Sequence, residues 1–490
     1  MLDLERLLSL LVYNPDDRLL FNSGFFLYFL LIFFVGYFSL KNQSNARITF
    51  VSLFSLYFFY KACGWYVGLV ILAAVVDFNL STIIYKSRHK AKRKSLLIFS
   101  LILNLGLLGY FKYTDFFIGI INDIQNKDIQ PLNLILPVGI SFYTFENISY
   151  TIDIYRRSCK PVKRFMDYLY FLSFFPKLMM GPIVRAADFI PQIRKPVWLS
   201  GEDVSKGLFL ILTGCFKKVV ISDYLSTHLV NSVFDDPLRY SGIECLMAVY
   251  GYAFVIYCDF SGYSDMAIGI AKWMGIDVNI NFNAPYQSKS ITEFWRRWHI
   301  SLSSWLRDYL YISLGGNRKG KLRTYFNLFV TMVIGGFWHG ASWNFIFWGA
   351  AHGIILAIEK LWKDNRKPST HKSGFLIRIF QTLITFHLVC ALWIFFKAES
   401  FGISLDMFHQ VTFGLDISIL PAFWEAYQTT ILILIGAFIL HALPMKWNDA
   451  VISISNKLHW TVKMVGMTIV LGLMYYFNTA GQVLPIYLQF

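Results

Sequence analysis

Residues 334–353, IGGFWHGASWNFIFWGAAHG, decide how the whole sequence is interpreted. They place two histidines, five glycines and three tryptophans within a run that is otherwise as apolar as a membrane segment. Because hydrocarbon penalises ionisable groups, those found within membrane segments usually serve function. Imidazole also exchanges a proton near neutral pH, so His339 is the first candidate for chemistry.

The glycines beside His339 remove side-chain bulk and would allow a close backbone approach or the entry of a thin ligand. They are Gly335, Gly336 and Gly340. Three tryptophans would wall such a channel: Trp338, Trp343 and Trp348. Alternatively, His339 only donates to a neighbouring carbonyl and joins two helices, and the stretch alone leaves both roles open. His352 lies among small residues, which favours a packing role.

The composition is typical of an integral membrane protein. The 490 residues are 56% hydrophobic and only 15% charged. The net charge of +15 comes from short basic clusters between apolar segments, which fits cytoplasmic loops and argues against binding of nucleic acid. Six scattered cysteines without CxxC spacing indicate neither a zinc site nor a disulfide framework.

Apolar segments separated by polar loops predict an all-α, polytopic protein with ten or eleven crossings. The segment 48–85 is interpreted as a helical hairpin broken around Lys61 and Gly64. The other segments are 24–40, 95–112, 134–155, 165–193, 206–221, 246–274, 325–361, 375–396, 429–443 and 461–478. We expect one domain over 1–490, with an interfacial segment at 1–23, N-terminal helices at 24–280, a catalytic core at 281–362 and C-terminal helices at 363–490.

Two apolar segments in the first half contain features that need a partner or a cavity inside the protein. Glu146 and Asp153 lie seven residues apart, on nearly one helix face, and either is expected to pair with the basic loop 156–164. The prolines and glycine of FFPKLMMGP, at 174–182, predict a broken helix that lines an internal channel.

A further polar group lies within the apolar segment 246–274. It contains Asp259 and Ser261 in the sequence CDFSGYSD. A carboxylate and a hydroxyl at membrane depth require partners inside a helix bundle or a wet cavity. These side chains would either orient a substrate or bond only to neighbouring helices.

The stretch SITEFWRRWHISLSSWLRDYLYISLGG, at 290–316, predicts one amphipathic helix. Ser290 and Glu293 form a capping box, and the terminal glycine pair supplies the stop. At about 100° per residue, one face collects aromatic and apolar side chains together with one histidine. These are Trp295, Trp298, His299, Leu302, Trp305 and Leu306. The pattern is typical of an interfacial helix and would bring His299 to the interior from the cytoplasmic edge.

Four cations occur among the seven residues 317–323. The run 315–321 matches G-x-x-x-x-G-K, but Leu322 stands where a P-loop needs Ser or Thr, so a nucleotide-hydrolysing site is rejected. Two interpretations stay open, a topology signal or a rim that holds the phosphates of a carrier such as coenzyme A. The rim would consist of Arg296, Arg307, Arg318, Lys319 and Lys321.

Four motifs in order resemble the membrane-bound O-acyltransferase (MBOAT) family, in particular its bacterial branch of alginate O-acetylation and teichoic-acid D-alanylation proteins. They are PVGISFYTF at 137–145, FFPKLMMGP, FWRRWH at 294–299 and FWHG at 337–340. The resemblance extends from about residue 24 to the C-terminus. It implies a ring of tilted helices around a central tunnel, with His339 as the catalytic residue and His299 along the same tunnel.

With this resemblance, we expect His339 to act as general base on a hydroxyl that enters from outside and attacks an acyl thioester from the cytoplasm. His299 would steer the thioester or orient His339, and backbone N–H groups at the glycine-rich break would stabilise the oxyanion. The donor is expected to be acetyl-CoA or another carrier thioester, with no permanently bound cofactor and no metal. The tunnel would be lined by Trp295, Trp298, Trp338, Asn344, Trp348, Asp259 and Ser261.

The resemblance also implies a multi-pass protein of the bacterial inner membrane, a polysaccharide acceptor and an extracytoplasmic SGNH-type acyltransferase partner. The apolar C-terminal segment 485–490 is expected to dock on the protein or on that partner, although Leu488 stands where we expect Phe. Two alternatives remain. One is D-alanyl transfer from a small carrier protein. The other is a polysaccharide-precursor transporter or flippase, which the broken helices would suit but for which no inverted repeat is detectable.

Overall fold

The computed structural model describes residues 11–15, 18–19, 21, 24–366, 374–444, 446–477 and 485–486. Within these ranges the regular structure is helical and no strand occurs, which confirms the all-α prediction. The chain divides into two compact units. The first unit is Met1–Ile211 with Met266–Asn279, and the second is Leu212–Asp265 with Ile280–Phe490.

Long apolar helices suit a membrane because their backbone groups bond to one another and need no water. Seven helical segments in the described part of the chain are long and apolar enough to cross, and Phe26–Ser39 is a shorter apolar helix. The seven are Ser44–Lys86, Lys90–Gln125, Gly242–Trp273, Trp343–Asp364, Phe375–Lys397, Ile417–Ala442 and Trp460–Phe477. The polytopic prediction is confirmed. The predicted number of crossings, ten or eleven, is larger than seven because it also included broken and shorter apolar segments.

The first unit begins with long helices and continues with short ones. They are α1 (Gly24–Ser39), α2 (Ser44–Cys63), α3 (Val67–Lys86), α4 (Lys90–Gln125), α5 (Ile140–Arg156), α6 (Phe165–Ser173), α7 (Phe175–Leu178), α8 (Ala186–Ile193) and the start of α9 (Gly201–Phe216). The predicted break between α2 and α3 is confirmed at Gly64, whose φ of +64° glycine adopts without strain. The predicted break in FFPKLMMGP is also confirmed, since α6 ends at Ser173 and α7 at Leu178.

A buried ion pair joins α5 to this broken segment. The Lys177 ammonium is ion-paired with the Glu146 carboxylate, and both side chains are buried. The Val184 backbone N–H donates to the other carboxylate oxygen at 3.3 Å. The prediction that Glu146 pairs with the loop 156–164 is therefore wrong. A desolvated carboxylate needs a cation at its own depth, and the broken helix supplies one.

The second unit contains the end of α9 and the helices that follow. They are α10 (Asn231–Asp235), α11 (Gly242–Trp273, whose last turns belong to the first unit), α12 (Ile291–Arg297), α13 (Ile300–Trp305), α14 (Lys321–His339), α15 (Trp343–Asp364), α16 (Phe375–Lys397), α17 (Phe401–Phe413), α18 (Leu420–Ala442), α19 (Lys446–Lys457) and α20 (Trp460–Phe477). Three segments, Lys217–Asp223, Ser226–Val230 and Leu306–Tyr311, are π-helical.

Helices α14 and α15 approach each other closely at glycines. A Cβ atom built on Gly336 would overlap the Phe345 carbonyl oxygen and lie 2.9 Å from the Gly349 Cα atom. A Cβ atom on Gly353 would likewise lie 2.9 Å from the Phe329 Cα atom. Gly336 therefore lies inside a helix and serves the close backbone approach that was one of the two roles expected for it.

We predict that Gly336→Ala destabilises the protein by about 1–3 kcal/mol, because the added methyl group meets backbone atoms that cannot rotate away. The matched control is Gly109→Ala in α4, where an added Cβ meets nothing within 4 Å. Thermal unfolding of the purified proteins in detergent measures both. A midpoint for Gly336→Ala equal to that of Gly109→Ala would contradict the close packing of α14 and α15.

Candidate active site

His339 is the last residue of α14. The chain then leaves the helix over residues 340–342 and starts α15 at Trp343, so the predicted broken pair around His339 is confirmed. The His339 side chain is buried. Its ring is surrounded by aromatic rings, with centroids at 5.0 Å for Trp338, 5.3 Å for Trp348 and 5.1 Å for Phe396.

His299 lies between two short helices and is fully buried. Its φ is +42°, in the left-handed region that a helix does not contain. The prediction of one helix over 290–316 is therefore wrong. The chain forms α12, turns at His299, resumes as α13 and continues into a π-helical segment. The predicted cap is confirmed, because the Ser290 hydroxyl accepts the Glu293 N–H.

Asn281 stabilises the turn at His299, and the sequence analysis did not identify this residue. Its backbone carbonyl accepts the Ile300 N–H at 2.9 Å, and its side-chain oxygen accepts the Ser301 N–H at 3.2 Å. These acceptors satisfy N–H groups that the interrupted helix leaves without a partner. No local signal in the sequence could identify Asn281, since its partners lie about twenty residues further along the chain.

The structure brings the two predicted histidines to the same tryptophan. The Trp338 ring lies 5.0 Å from the His339 ring and 6.3 Å from the His299 ring, measured between centroids. Phe260 packs edge-on against His299 at 4.5 Å. Phe260 and Phe396 complete this group of rings, and no local pattern distinguishes them from the other phenylalanines among the 47.

Helix α12 is attached to α15 at two points. The Glu359 carboxylate accepts the N–H groups of Ile291 at 2.6 Å and Thr292 at 3.0 Å, at the positive end of α12. One turn further on, the Trp295 indole N–H donates to the His352 Nδ1 atom at 3.3 Å. His352 is thus part of a helix-to-helix contact, the kind of role expected for it. Sequence reasoning missed Glu359.

Glu293 contributes a charge near the same helix. Burial alone would raise the pKa of its carboxyl, but the Lys289 backbone N–H and the Arg297 guanidinium bring that pKa below the ordinary value. The Arg297 Nη2 atom lies 2.7 Å from the carboxylate. The carboxylate is therefore ionised at neutral pH and fixes the end of α12 that leads to His299.

Several expected lining residues have structural partners. The Asn344 amide donates to the Ala398 carbonyl at 2.8 Å and ties α15 to the end of α16. Asp259 is ion-paired with Lys218 at 2.6 Å and accepts the Ile486 N–H at 2.8 Å. Ser261 is buried on α11. Their role as tunnel lining stays a prediction.

The tryptophans predicted to line the channel differ in how far their side chains are exposed. Trp338, Trp348 and Trp298 are buried, and Trp298 packs on Trp393 with ring centroids 5.0 Å apart. Trp343, the first residue of α15, is 62% exposed. Its place in a channel wall stays a prediction.

The cations of the expected phosphate rim are all exposed. Arg307 is hydrogen-bonded to Asp308 at 2.8 Å, which raises the pKa of the guanidinium and places a negative charge beside it. The turn before α14 contains Gly315 and Gly316, both at positive φ. The Asn327 amide donates to the Gly316 carbonyl at 2.9 Å and fixes this turn. The backbone of this turn is thus fixed, and the cations of the rim are exposed.

Comparison with known proteins shows which proteins this chain is similar to. Residues 162–398 match the family described as MBOAT, membrane-bound O-acyltransferase family. The peptidoglycan O-acetyltransferase of Helicobacter pylori is 39% identical over 79% of this chain and 79% of its own length. The probable alginate O-acetylase AlgI of Pseudomonas aeruginosa is 40% identical over 81% and 75%. The teichoic acid D-alanyltransferase of Bacillus subtilis is 31% identical over 55% and 71%.

We predict that Asn281→Ala destabilises the protein by about 1–3 kcal/mol, because the Ser301 N–H is left buried without an acceptor. Asn281→Asp keeps the accepting oxygen but buries a carboxylate, so it should recover little of the loss. Asn79→Ala is the matched control, since its exposed amide bonds only to its own helix at Val75. Thermal unfolding compares the three variants. Equal midpoints for Asn281→Ala and Asn79→Ala would show that Asn281 does not support the turn at His299.

Proposed function

The chain belongs to the membrane-bound O-acyltransferase family and is a multi-pass enzyme of the bacterial inner membrane. From this premise we propose that it transfers an acetyl group from acetyl-CoA in the cytoplasm to a hydroxyl of an extracytoplasmic polysaccharide, or of a partner transferase. The observation that supports this most directly is His339, a buried imidazole at the broken end of α14, next to the same tryptophan as His299.

His339 is proposed as the general base. It takes the proton of the acceptor hydroxyl while the oxygen attacks the thioester carbonyl carbon. The tetrahedral intermediate then breaks its C–S bond, and the leaving thiolate takes the proton back from the imidazolium. Base catalysis of this kind contributes roughly 10²–10⁴-fold. A base within the membrane is needed because the thioester is on one side and the acceptor on the other.

Two further groups support the reaction in this proposal. His299 positions the thioester against His339, since both rings contact Trp338. The first turn of α15 follows His339 after three residues, and the first N–H groups of a helix have no partner within it. Those N–H groups are the proposed donors to the oxyanion.

Acetyl is favoured over D-alanyl by the extent of the similarity. The two O-acetyl-transferring relatives match about four fifths of this chain, whereas the D-alanyltransferase matches 55%. The names of these relatives also support a polysaccharide acceptor. An extracytoplasmic SGNH-type transferase remains the proposed partner. Ile486 is anchored at Asp259, while residues 487–490 of the expected docking segment lie outside the described residues.

We predict that His339→Ala lowers acetylation of the exported polysaccharide by about 10²–10⁴-fold, because the proton acceptor is lost. Alkali-released acetate measures the product, and an immunoblot confirms equal amounts of enzyme. His387→Ala is the matched control, an exposed histidine of α16 that bonds to the Tyr250 hydroxyl. Unchanged acetylation by His339→Ala would remove His339 from the mechanism.

The variant His299→Ala should raise the KM for acetyl-CoA, because His299 is proposed to position the thioester. Full activity of this variant would leave His299 a packing role.

The rim gives a separate prediction. The triple variant Arg318→Gln, Lys319→Gln, Lys321→Gln should raise the KM for acetyl-CoA roughly 10-fold, since exposed ion pairs contribute about 0.2–1 kcal/mol each. The KM for acetyl-pantetheine, which lacks the nucleotide phosphates, should not change. The matched control replaces Lys90, Lys92 and Lys94, three exposed lysines of the basic run 86–94, with Gln. An unchanged KM for acetyl-CoA would show that the rim is only a topology signal.

A further inference from the structure

Helices α14 and α15 form an apolar groove of about 350 Å³ on their outer side. Its walls are Tyr325, Phe326 and Phe329 of α14 and Ile354, Ile358 and Leu361 of α15. Phe326, Ile354, Ile358 and Leu361 are between 45% and 58% exposed. Since α15 is long and apolar enough to cross the membrane, these side chains face lipid. The groove is therefore shaped and lined for a hydrocarbon chain.

One end of the groove is strongly basic. The Tyr325 hydroxyl donates to the Asp364 carboxylate at 3.3 Å, which brings the start of α14 beside the end of α15. Arg323 lies over the Phe326 ring at 5.2 Å, and Arg366 lies over the Trp362 ring at 3.8 Å. Aromatic rings thus hold two guanidinium groups at the mouth of the groove and leave their N–H donors free for an anion.

The acidic residues near this mouth already have cationic partners on α15. Asp364 is paired with Lys360 at 2.7 Å, and Glu359 with Lys363 at 3.7 Å. In the part of the chain that the structure describes, no carboxylate pairs with Arg323 or Arg366. The mouth therefore keeps an excess of positive charge. By the excess of Lys and Arg in cytoplasmic loops, this end of the helix pair lies on the cytoplasmic side.

We propose that the groove is a specific binding site for one anionic phospholipid, with an acyl chain along α14 and α15 and the phosphate at Arg323 and Arg366. The cytoplasmic leaflet presents anionic headgroups, and basic pockets between membrane helices on that side bind them. The site does not depend on the proposed acyl transfer, because neither arginine belongs to the rim assigned to the acyl donor. A lipid bound across both helices stabilises the helix pair that ends at His339.

Native mass spectrometry of the detergent-purified protein tests the proposal with phosphatidylglycerol and phosphatidylcholine of identical chains. Wild type is expected to bind phosphatidylglycerol more tightly. The double variant R323Q/R366Q should bind it about 30-fold more weakly, the ratio that about 1 kcal/mol per cation gives. Phosphatidylcholine carries the same phosphate but no net charge, so its binding should weaken less. K90Q/K92Q, which removes two exposed lysines of another basic run, should leave both affinities within twofold.

A groove-filling variant completes the test. Ala357 also lines the groove, and Ala357→Phe should weaken binding of both lipids because the chain loses its place. Equal affinity of wild type for the two lipids would show ordinary annular lipid and overturn the proposal. Unchanged phosphatidylglycerol binding by R323Q/R366Q would place the headgroup elsewhere and also overturn it. Melting curves confirm that each variant is folded.

Discussion

Hydrocarbon offers no hydrogen-bond partner to a carboxylate, an ammonium or a peptide group, and this constraint decides where the polar residues of the protein lie. Each compact unit satisfies it internally. In the first, Glu146 is paired with Lys177, and the fully buried Asp77 accepts from Ser100 at 2.5 Å and Asn104 at 2.7 Å. In the second, Lys218 and the Ile486 N–H both reach Asp259. Unpaired, any of these charges would cost several kcal/mol.

The same constraint explains why the irregular backbone occurs beside the histidines. A helix that stops inside an apolar environment leaves N–H and carbonyl groups that need other partners. At His299 those partners are the carbonyl and the side chain of Asn281, and at the start of α12 the partner is Glu359. The breaks let the rings of His299 and His339 lie in one aromatic cluster. In a continuous helix, the helical period alone would set the direction of each ring. At these two positions a specific residue, Asn281 or Glu359, accepts the hydrogen bonds that the helix itself cannot.

Glycine and aromatic residues have different structural roles around His339. The glycines of α14 and α15 bring the helix backbones together, and the rings of Trp338, Trp348 and Phe396 fill the space around His339. Tight packing of this kind holds an imidazole in one orientation, which the proposed proton transfer would require. On their outer side the same two helices form the apolar groove, so one helix pair connects that surface to the histidine.

The sequence by itself determined the class of the protein, its long apolar helices, the break at His339 and the cap at Ser290. These features depend on composition, on apolar run length or on residues within one helical turn, which are local properties. Only the tertiary structure decided the turn at His299, the partner of Glu146 and the exposure of Trp343. Lys177 lies 31 residues from Glu146, and Asn281 about twenty from the helix it caps. A periodicity describes neighbours along the chain, whereas these partners are selected by packing between segments that the sequence keeps apart.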